Sequence, residues 1–257
     1  MLKFKNTILA YLVIMTILLS IHFFVLIPLL IFLIINIALI LLIVYGSAYI
    51  GSNFFIPILT HGNNQKKCIA ISFDDGPSPL YTNTILDILK NHNTPATFFC
   101  IGKNIEQNKN LLLKIDQDGH IIGNHTYNHP FHFGLLSKKK VKEELLSNSL
   151  LIEQIIHKKI KLFRPPFGVT NPNIAAAIKE LNFIPIGWSA RSLDTISKDP
   201  QKLLNKIKKQ LEPGAVFLFH DTQFVITQVL SPFIEYCHNE GYQIIPISKL
   251  LNCNPYE

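Results

Sequence analysis

Two adjacent carboxylates, Asp74 and Asp75, end the apolar run Cys68-Ile69-Ala70-Ile71-Ser72-Phe73, and Gly76-Pro77 turns the chain immediately after them. A carboxylate at the mouth of a buried strand is destabilising unless it is paired, hydrogen-bonded or bound to a metal. Side chains alternate in direction along a strand, so the two neighbours cannot share one job. One could hold a metal while the other handles a proton. A solvated Asp-Asp-Gly turn would read the same way in isolation. Further along, His125 and His129 are separated by three residues, the spacing of one helical turn, which lets both imidazoles face one ion. Two histidines and one carboxylate with an open position form a catalytic zinc set, and Asp75 supplies that carboxylate from a different strand. Arg164-Pro165-Pro166-Phe167-Gly168 is a stiff turn bearing one guanidinium. Phe217-Leu218-Phe219-His220-Asp221 is a buried strand ending in a titratable pair, which a structural histidine at a strand end would also produce.

The elements that must position these groups read as alternating strands and helices from Cys68 onward. Strands are expected at 68–73, 96–101, 120–123, 183–187, 215–219 and 242–247. Helices are expected at 82–91, 104–118, 138–157, 171–181, 200–211 and 224–239. In the third helix Val141, Leu145, Ile152 and Ile156 fall on one stripe. Pro200 suits a first helical turn, with Asp199 as its N-cap. Strand–helix alternation with continuously apolar strands predicts an α/β fold, a parallel sheet covered by helices, either a barrel or a doubly wound sheet. Catalytic groups in such folds sit at the C-terminal strand ends. Asp74, Asp75, His125, His129, Trp188, His220 and Asp221 all fall just past expected strands.

Together these segments resemble the NodB-homology polysaccharide deacetylases, carbohydrate esterase family 4, over about residues 66–250. The matching motifs are Ser72-Phe73-Asp74-Asp75-Gly76-Pro77, His125-Thr126-Tyr127-Asn128-His129, Arg164-Pro165-Pro166-Phe167-Gly168 and Leu218-Phe219-His220. The resemblance implies a distorted (β/α) barrel that removes N- or O-acetyl groups from sugar polymers. It implies a divalent metal, zinc in the first place and cobalt or another divalent ion as alternatives, on Asp75, His125 and His129. Asp74 would be the general base, His220 the general acid, and Arg164 the residue that orients Asp74. Pro165, Phe167, Trp188 and Leu218 would contact substrate, with Leu218 lining the pocket for the acetyl methyl. A further family motif, commonly an Asp, two residues, then Asp-Trp, is altered in Trp188-Ser189-Ala190-Arg191-Ser192-Leu193-Asp194-Thr195. Asp194 can stand for its second Asp, pairing with Arg164 or tuning the acid. Arg191 and Thr195 replace the first Asp and the Trp, and substrate preference is what they affect. The implied substrate is an acetylated cell-envelope polysaccharide with N-acetylglucosamine units. A non-catalytic carbohydrate-binding protein on the same fold and an O-acetyl esterase are the alternatives. No Glu follows His125, so a His-Glu-x-x-His peptidase is disfavoured.

Residues 6–65 contain no Asp, Glu, Lys or Arg. Their densest apolar part, 8–45, is long enough for two membrane spans broken near Pro28. The expectation is an integral anchor over 1–50, with helices at about 7–27 and 29–50, then a linker over 51–65 and the deacetylase domain over 66–253. Lys3 and Lys5 precede the block while Lys66 and Lys67 follow it, so charge does not orient it; an envelope substrate favours the extracytoplasmic side. Beyond residue 65 lie 22 of the 24 basic and all 17 acidic residues, an excess of +5 without the aromatic interleaving of a nucleic-acid surface. The four cysteines are scattered, which indicates neither a zinc ribbon nor a disulfide framework.

Overall fold

The computed structural model describes residues 2–63 and 66–257. Two apolar helices come first, α1 (Phe4–Phe24) and α2 (Leu29–Ala48), joined by a four-residue turn. They pack on each other as a hairpin, with Tyr11 Oη donating to Asn36 Oδ1 at 3.0 Å. At about 1.5 Å per residue each is about 30 Å long, the thickness of a bilayer core. Both are long and apolar enough to cross a membrane, and almost all of their surface is uncovered by protein. Phe4 N donates to Phe54 O, so the start of α1 and the chain leaving α2 lie at the same end of the hairpin.

The rest is one parallel sheet wrapped by helices. In chain order it comprises β1 (Cys68–Asp74), α3 (Thr82–Asn91), β2 (Thr97–Cys100), α4 (Gly102–Gln107), α5 (Lys109–Gln117), β3 (Ile121–Asn124), α6 (Lys138–Ile156), β4 (Leu162–Phe163), α7 (Pro172–Glu180), β5 (Ile184–Pro185), β6 (Ala190–Arg191), α8 (Pro200–Lys208), β7 (Val216–His220), α9 (Phe224–Asn239), β8 (Gln243–Ile244) and α10 (Ile247–Leu250). The strand order is β5-β4-β3-β2-β1-β7-β6, with β8 pairing the start of β1. Because β5 pairs β4 while β6 pairs β7, residues 184–191 carry the chain from one end of the sheet to the other. That is the distorted (β/α) barrel expected from the motifs.

The pleat sets the site. Ile69, Ile71 and Phe73 of β1 face the helices with Phe98, Phe217 and Phe219, whereas Ala70 packs inside the barrel with Phe99, Ile186 and Val216. Alternation therefore turns Ser72 and Asp74 inward, together with Leu218 and His220 of β7, whose backbone pairs theirs in register.

Several expectations need correction. The expected 104–118 helix is two helices, because Asn108 at φ −137° breaks it. The expected strand at 242–247 shrinks to Gln243–Ile244, since Pro246 opens α10. Strands β4 and β6 are two residues each, too short to show a periodicity. The His125–His129 pair is not helical: it lies on the loop after β3, with Thr126 at φ 65° and His129 at φ 50°. By contrast, the Val141, Leu145, Ile152 and Ile156 stripe is buried, and Asp199 caps α8 by accepting from Lys202 N.

His120, just before β3, is 7% exposed, and its Nδ1 accepts from Ala96 N at 3.2 Å. Burial pushes the ring's pKa down, only partly opposed by Asp118. A histidine depressed in the folded state adds stability above its unfolded value of about 6.5 and loses it as pH falls below that. His120→Gln should therefore gain stability relative to the wild type between pH 7.5 and 5.5, by at most about 1.4 kcal/mol per pH unit. Urea unfolding at the two pH values checks this; an unchanged difference would contradict it.

Candidate active site

Asp74, Asp75, His125, His129, Arg164 and His220, singled out from the motifs, converge at the C-terminal rim of the barrel, whereas Trp188 and Asp221 do not. Asp74 leaves β1 facing inward and is 3% exposed. Its Oδ1 accepts from Arg164 Nη1 at 2.7 Å. Arg164 is fully buried and fixed on every side. Nη1 also donates to Ser72 Oγ at 2.8 Å, Nη2 donates to Gly187 O at 2.8 Å, and the guanidinium stacks on Phe99 at 4.1 Å. Ser72 in turn donates to Phe217 O, which explains a hydroxyl in an otherwise apolar strand. Arg164→Lys keeps the positive charge but loses this fork. The expected outcome is a loss of about 2–4 kcal/mol of unfolding free energy, measured by urea denaturation; a loss below about 0.5 kcal/mol would contradict the buried fork.

Asp75 is the next residue, yet φ 73° swings it out of the strand. Its Oδ1 lies 3.4 Å from His125 Nε2 and 3.6 Å from His129 Nε2. His125 is held by its other nitrogen, Nδ1, which donates to Arg164 O at 2.8 Å and leaves Nε2 for the pocket. Ligand atoms of the three residues all lie within 4.8 Å of one another. Tetrahedral ligands about 2.0–2.1 Å from a zinc ion stand about 3.4 Å apart, so the three fit a shared divalent cation. The outer contacts fit as well. Asn104 Nδ2 donates to Asp75 O at 2.7 Å, and Asn124 Oδ1 accepts from Thr126 N at 2.7 Å, bracing the loop.

The charges match that fit. Burial alone would raise the Asp75 carboxyl, but hydrogen bonding and charge from His125, then His220 and His129, hold it well below the usual carboxylate range. Burial would lower His125, but Asp74 and Asp75 outweigh it and raise the ring. Burial and the His125 charge push His129 down to about 4.

His220, at the end of β7, points Nε2 toward the same space, 4.0 Å from Asp75 Oδ2. Its Nδ1 is 2.8 Å from Asp194 Oδ1, and its backbone N donates to Asp194 Oδ2. Burial opposes protonation, but the Asp194 hydrogen bond and charge win and raise the ring to about 9. Of the two partners open to Asp194, the structure brings it to His220. Asp221, the next residue, turns away: Thr82 Oγ1 donates to its Oδ2 at 2.5 Å, and complete burial raises its carboxyl to about 7. A Cβ on Gly76 would sit 2.0 Å from that Oδ2, so glycine is required there.

Leu218 is buried on the inner face and Pro165 is buried beneath the third-motif turn. Phe167 stays 48% exposed and lies 4.8 Å from the His129 ring. Trp188 is half-buried behind the turn, over Gly168 and between the guanidinia of Arg164 and Arg191 at 5.8 and 5.7 Å. It thus stands beside the pocket rather than over the metal ligands. Asn124, Asn148 and Glu144 were missed. Asn148 lies on the buried stripe of α6 and donates to Cys100 O and Asn124 Oδ1; Glu144 accepts from Tyr127 N and Asn128 N. Only Asn148's polarity on an apolar stripe was a signal for any of them.

Asp75, Thr126, His129, Phe167 and Leu193 all have positive φ. Each such residue costs about 1–3 kcal/mol and persists only where the surroundings over-determine it. The other five described non-glycine residues with positive φ are Asn53, Asn93, His157, Asn182 and Asn252, types that adopt this conformation more readily, so the rim holds those of the least suited types.

Comparison with known proteins agrees with this geometry. The family model described as polysaccharide deacetylase matches residues 61–186. A peptidoglycan-N-acetylglucosamine deacetylase of Bacillus cereus is 32% identical over 193 residues, covering 73% of this chain and 90% of that protein. A crystal structure of the Bc1960 peptidoglycan N-acetylglucosamine deacetylase superposes with a TM-score of 0.75 at 28% identity, covering 78% of this chain and 95% of the other. A carbohydrate esterase family 4 pseudoenzyme from Bacillus anthracis also shares the fold, with a TM-score of 0.72 at 27% identity over 76% of this chain and 69% of that one. The chain belongs to the polysaccharide deacetylase family, carbohydrate esterase family 4, and is a hydrolase of carbon–nitrogen bonds in acetylated polysaccharides.

Proposed function

We propose that this protein removes acetyl groups from N-acetylglucosamine units of a cell-envelope polysaccharide, using a divalent metal, and that its N-terminal hairpin anchors it in the membrane. The observation that carries the reading is the convergence of three groups in one pocket: the Asp75–His125–His129 cluster, the Asp74–Arg164 pair and the His220–Asp194 pair. A pseudoenzyme shares this fold, so the assembled side chains support activity where the fold alone would not.

Asp75, His125 and His129 would hold the ion, zinc being the natural occupant of a two-histidine, one-carboxylate set. When bound, such an ion polarises the acetyl carbonyl and lowers the pKa of the attacking water. Asp74 is the general base. Arg164 occupies its Oδ1, which leaves Oδ2, 3.8 Å from His125 Nε2, to take the proton from water. His220 is the general acid. Asp194 fixes the Nδ1 side of the ring, so Nε2 presents its proton to the departing amine nitrogen. Leu218 lines the acetyl pocket, Pro165 and Phe167 form its third-motif wall, and Trp188 backs that wall.

The anchor reading rests on the two 30 Å helices and on charge. Lys3 and Lys5 lie at the open end of the hairpin, and the turn at 25–28 carries no charge. Both chain ends then share the domain's side of the membrane, which the envelope substrate makes the extracytoplasmic one.

The test is acetate release by the purified full chain, loaded with zinc, from peptidoglycan, chitin oligomers and acetylated xylan. Release from the first two is expected. Release from xylan alone would replace the N-deacetylase with an O-acetyl esterase, and release from none would overturn the reading.

A further inference from the structure

The route of the chain out of α2 determines which face of the domain meets the hairpin. Thr170, just past the third-motif turn, donates from N to Ser47 O at 3.2 Å and from Oγ1 to Gly46 O at 3.3 Å. Ile50 is buried against Gly168 and Gly187 at the same rim. From there the chain runs down the seam of the barrel. Leu59 bridges to Ile186, His61 bridges to Ala215 at the start of β7, and β1 follows from the opposite end. The hairpin therefore emerges beside the catalytic rim, not from the far end of the barrel. Phe167, which touches the His129 ring, is three residues from Thr170, a reach of at most about 11 Å.

A second, independent feature lies on that rim. Leu80, Phe131, Leu135, Ile196 and Phe224 are 59–90% exposed, and Phe167 is 48% exposed. Five sit in the connections that follow the C-terminal ends of β1, β3, β4 and β6, and Phe224 opens α9 just after β7. Beyond the hairpin and Tyr49 at its exit, the other exposed large apolar side chains among the described residues are Leu113, Leu146 and Leu150, 36–55% exposed, on α5 and α6. Single exposed apolar residues need no explanation, but a ring of them around a site, continuous with membrane-crossing helices, marks an apolar contact surface.

We infer that the catalytic rim rests on the bilayer and that the substrate is an N-acetylated glycan still carried on a membrane lipid, rather than a polymer free of it. The inference builds on the anchor and deacetylase readings above. The apolar ring seats in the interfacial layer, and a sugar held at the lipid surface enters the pocket without leaving the membrane. Confinement to one surface raises its effective concentration at the site.

The sole tryptophan permits a test independent of activity. In the full chain carrying Trp188→Phe, a single probe is placed at the rim by Phe131→Trp or at the far end of the barrel by Asp118→Trp, in the exposed α5–β3 turn. In phosphatidylcholine vesicles with brominated acyl chains, fluorescence at position 131 should be quenched and that at 118 should not. Equal quenching, or none at 131, overturns the orientation. With zinc-loaded wild-type protein in vesicles, acetate release from a phospholipid-linked N-acetylglucosamine oligomer should exceed that from the free oligomer by at least about tenfold. The triple variant Phe131→Ser, Leu135→Ser, Ile196→Ser should lose this preference while its rate on the free oligomer stays within about twofold. Equal rates on the two substrates in the wild type overturn the substrate assignment. Release from neither sinks the deacetylase reading instead, with quenching still deciding orientation. Extraction from vesicles by alkaline carbonate sinks the anchor.

Discussion

Asp74→Asn is expected to lower kcat/KM on N-acetylglucosamine oligomers by about 10²–10⁴-fold, the usual contribution of a general base, while the protein retains its full divalent-ion content. The substitution preserves shape and leaves an amide oxygen for Arg164 Nη1, but it removes the group that accepts the water's proton. Asp74 is outside the Asp75–His125–His129 cluster, so ion binding should survive. The variant also leaves the buried guanidinium without its counter-charge, which destabilises by about 3–5 kcal/mol when no partner remains and by less here, because Ser72 and Gly187 stay bonded. Thermal unfolding measured alongside separates that effect from catalysis. Activity within tenfold of the wild type would remove Asp74 from the role of base.

His125→Ala should behave differently, losing the ion and the activity together. His125 supplies one of three ligand atoms, and loss of it should weaken divalent-ion affinity by more than the 10–100-fold typical of residues supporting a ligand from outside. Its ring also joins β3 to the third-motif loop through Arg164 O, so the loop that aims Arg164 loosens. Metal content after gel filtration, together with acetate release, checks both effects. A variant that keeps its metal would show that the ion is held elsewhere. The contrast between Asp74→Asn and His125→Ala separates the two carboxylates of the first motif by role.

That separation was partly legible in the sequence. Strand alternation indicated that Asp74 and Asp75 cannot do the same job from the same position; the structure turns Asp74 inward along β1, and φ 73° at Asp75 swings its carboxylate back to the same pocket, against His125 and His129. The burial of Val141, Leu145, Ile152 and Ile156 followed from helical spacing. What spacing could not show was conformation without periodicity. The His125–His129 interval matches a helical turn, yet a strained loop brings the rings together, because Asn124, Thr126 and Arg164 O fix it through contacts distant in sequence. Strands β4 and β6 leave no pattern at two residues each. The pairing of Asp194 with His220 rather than Arg164 depends on β6 lying beside β7, a long-range adjacency that a local motif does not carry. Segment 51–63 read as a linker by composition, whereas Phe54 and Ile58 are buried and Leu59 and His61 bridge to the sheet.

The most direct test of the central claim is acetate release from an N-acetylglucosamine oligomer by one preparation of the full chain before chelation, after chelation, and after zinc or cobalt is restored. Release that stops with the chelator and returns with the ion is the expected result. Release that continues undiminished in the metal-free protein would contradict the assignment of Asp75, His125 and His129.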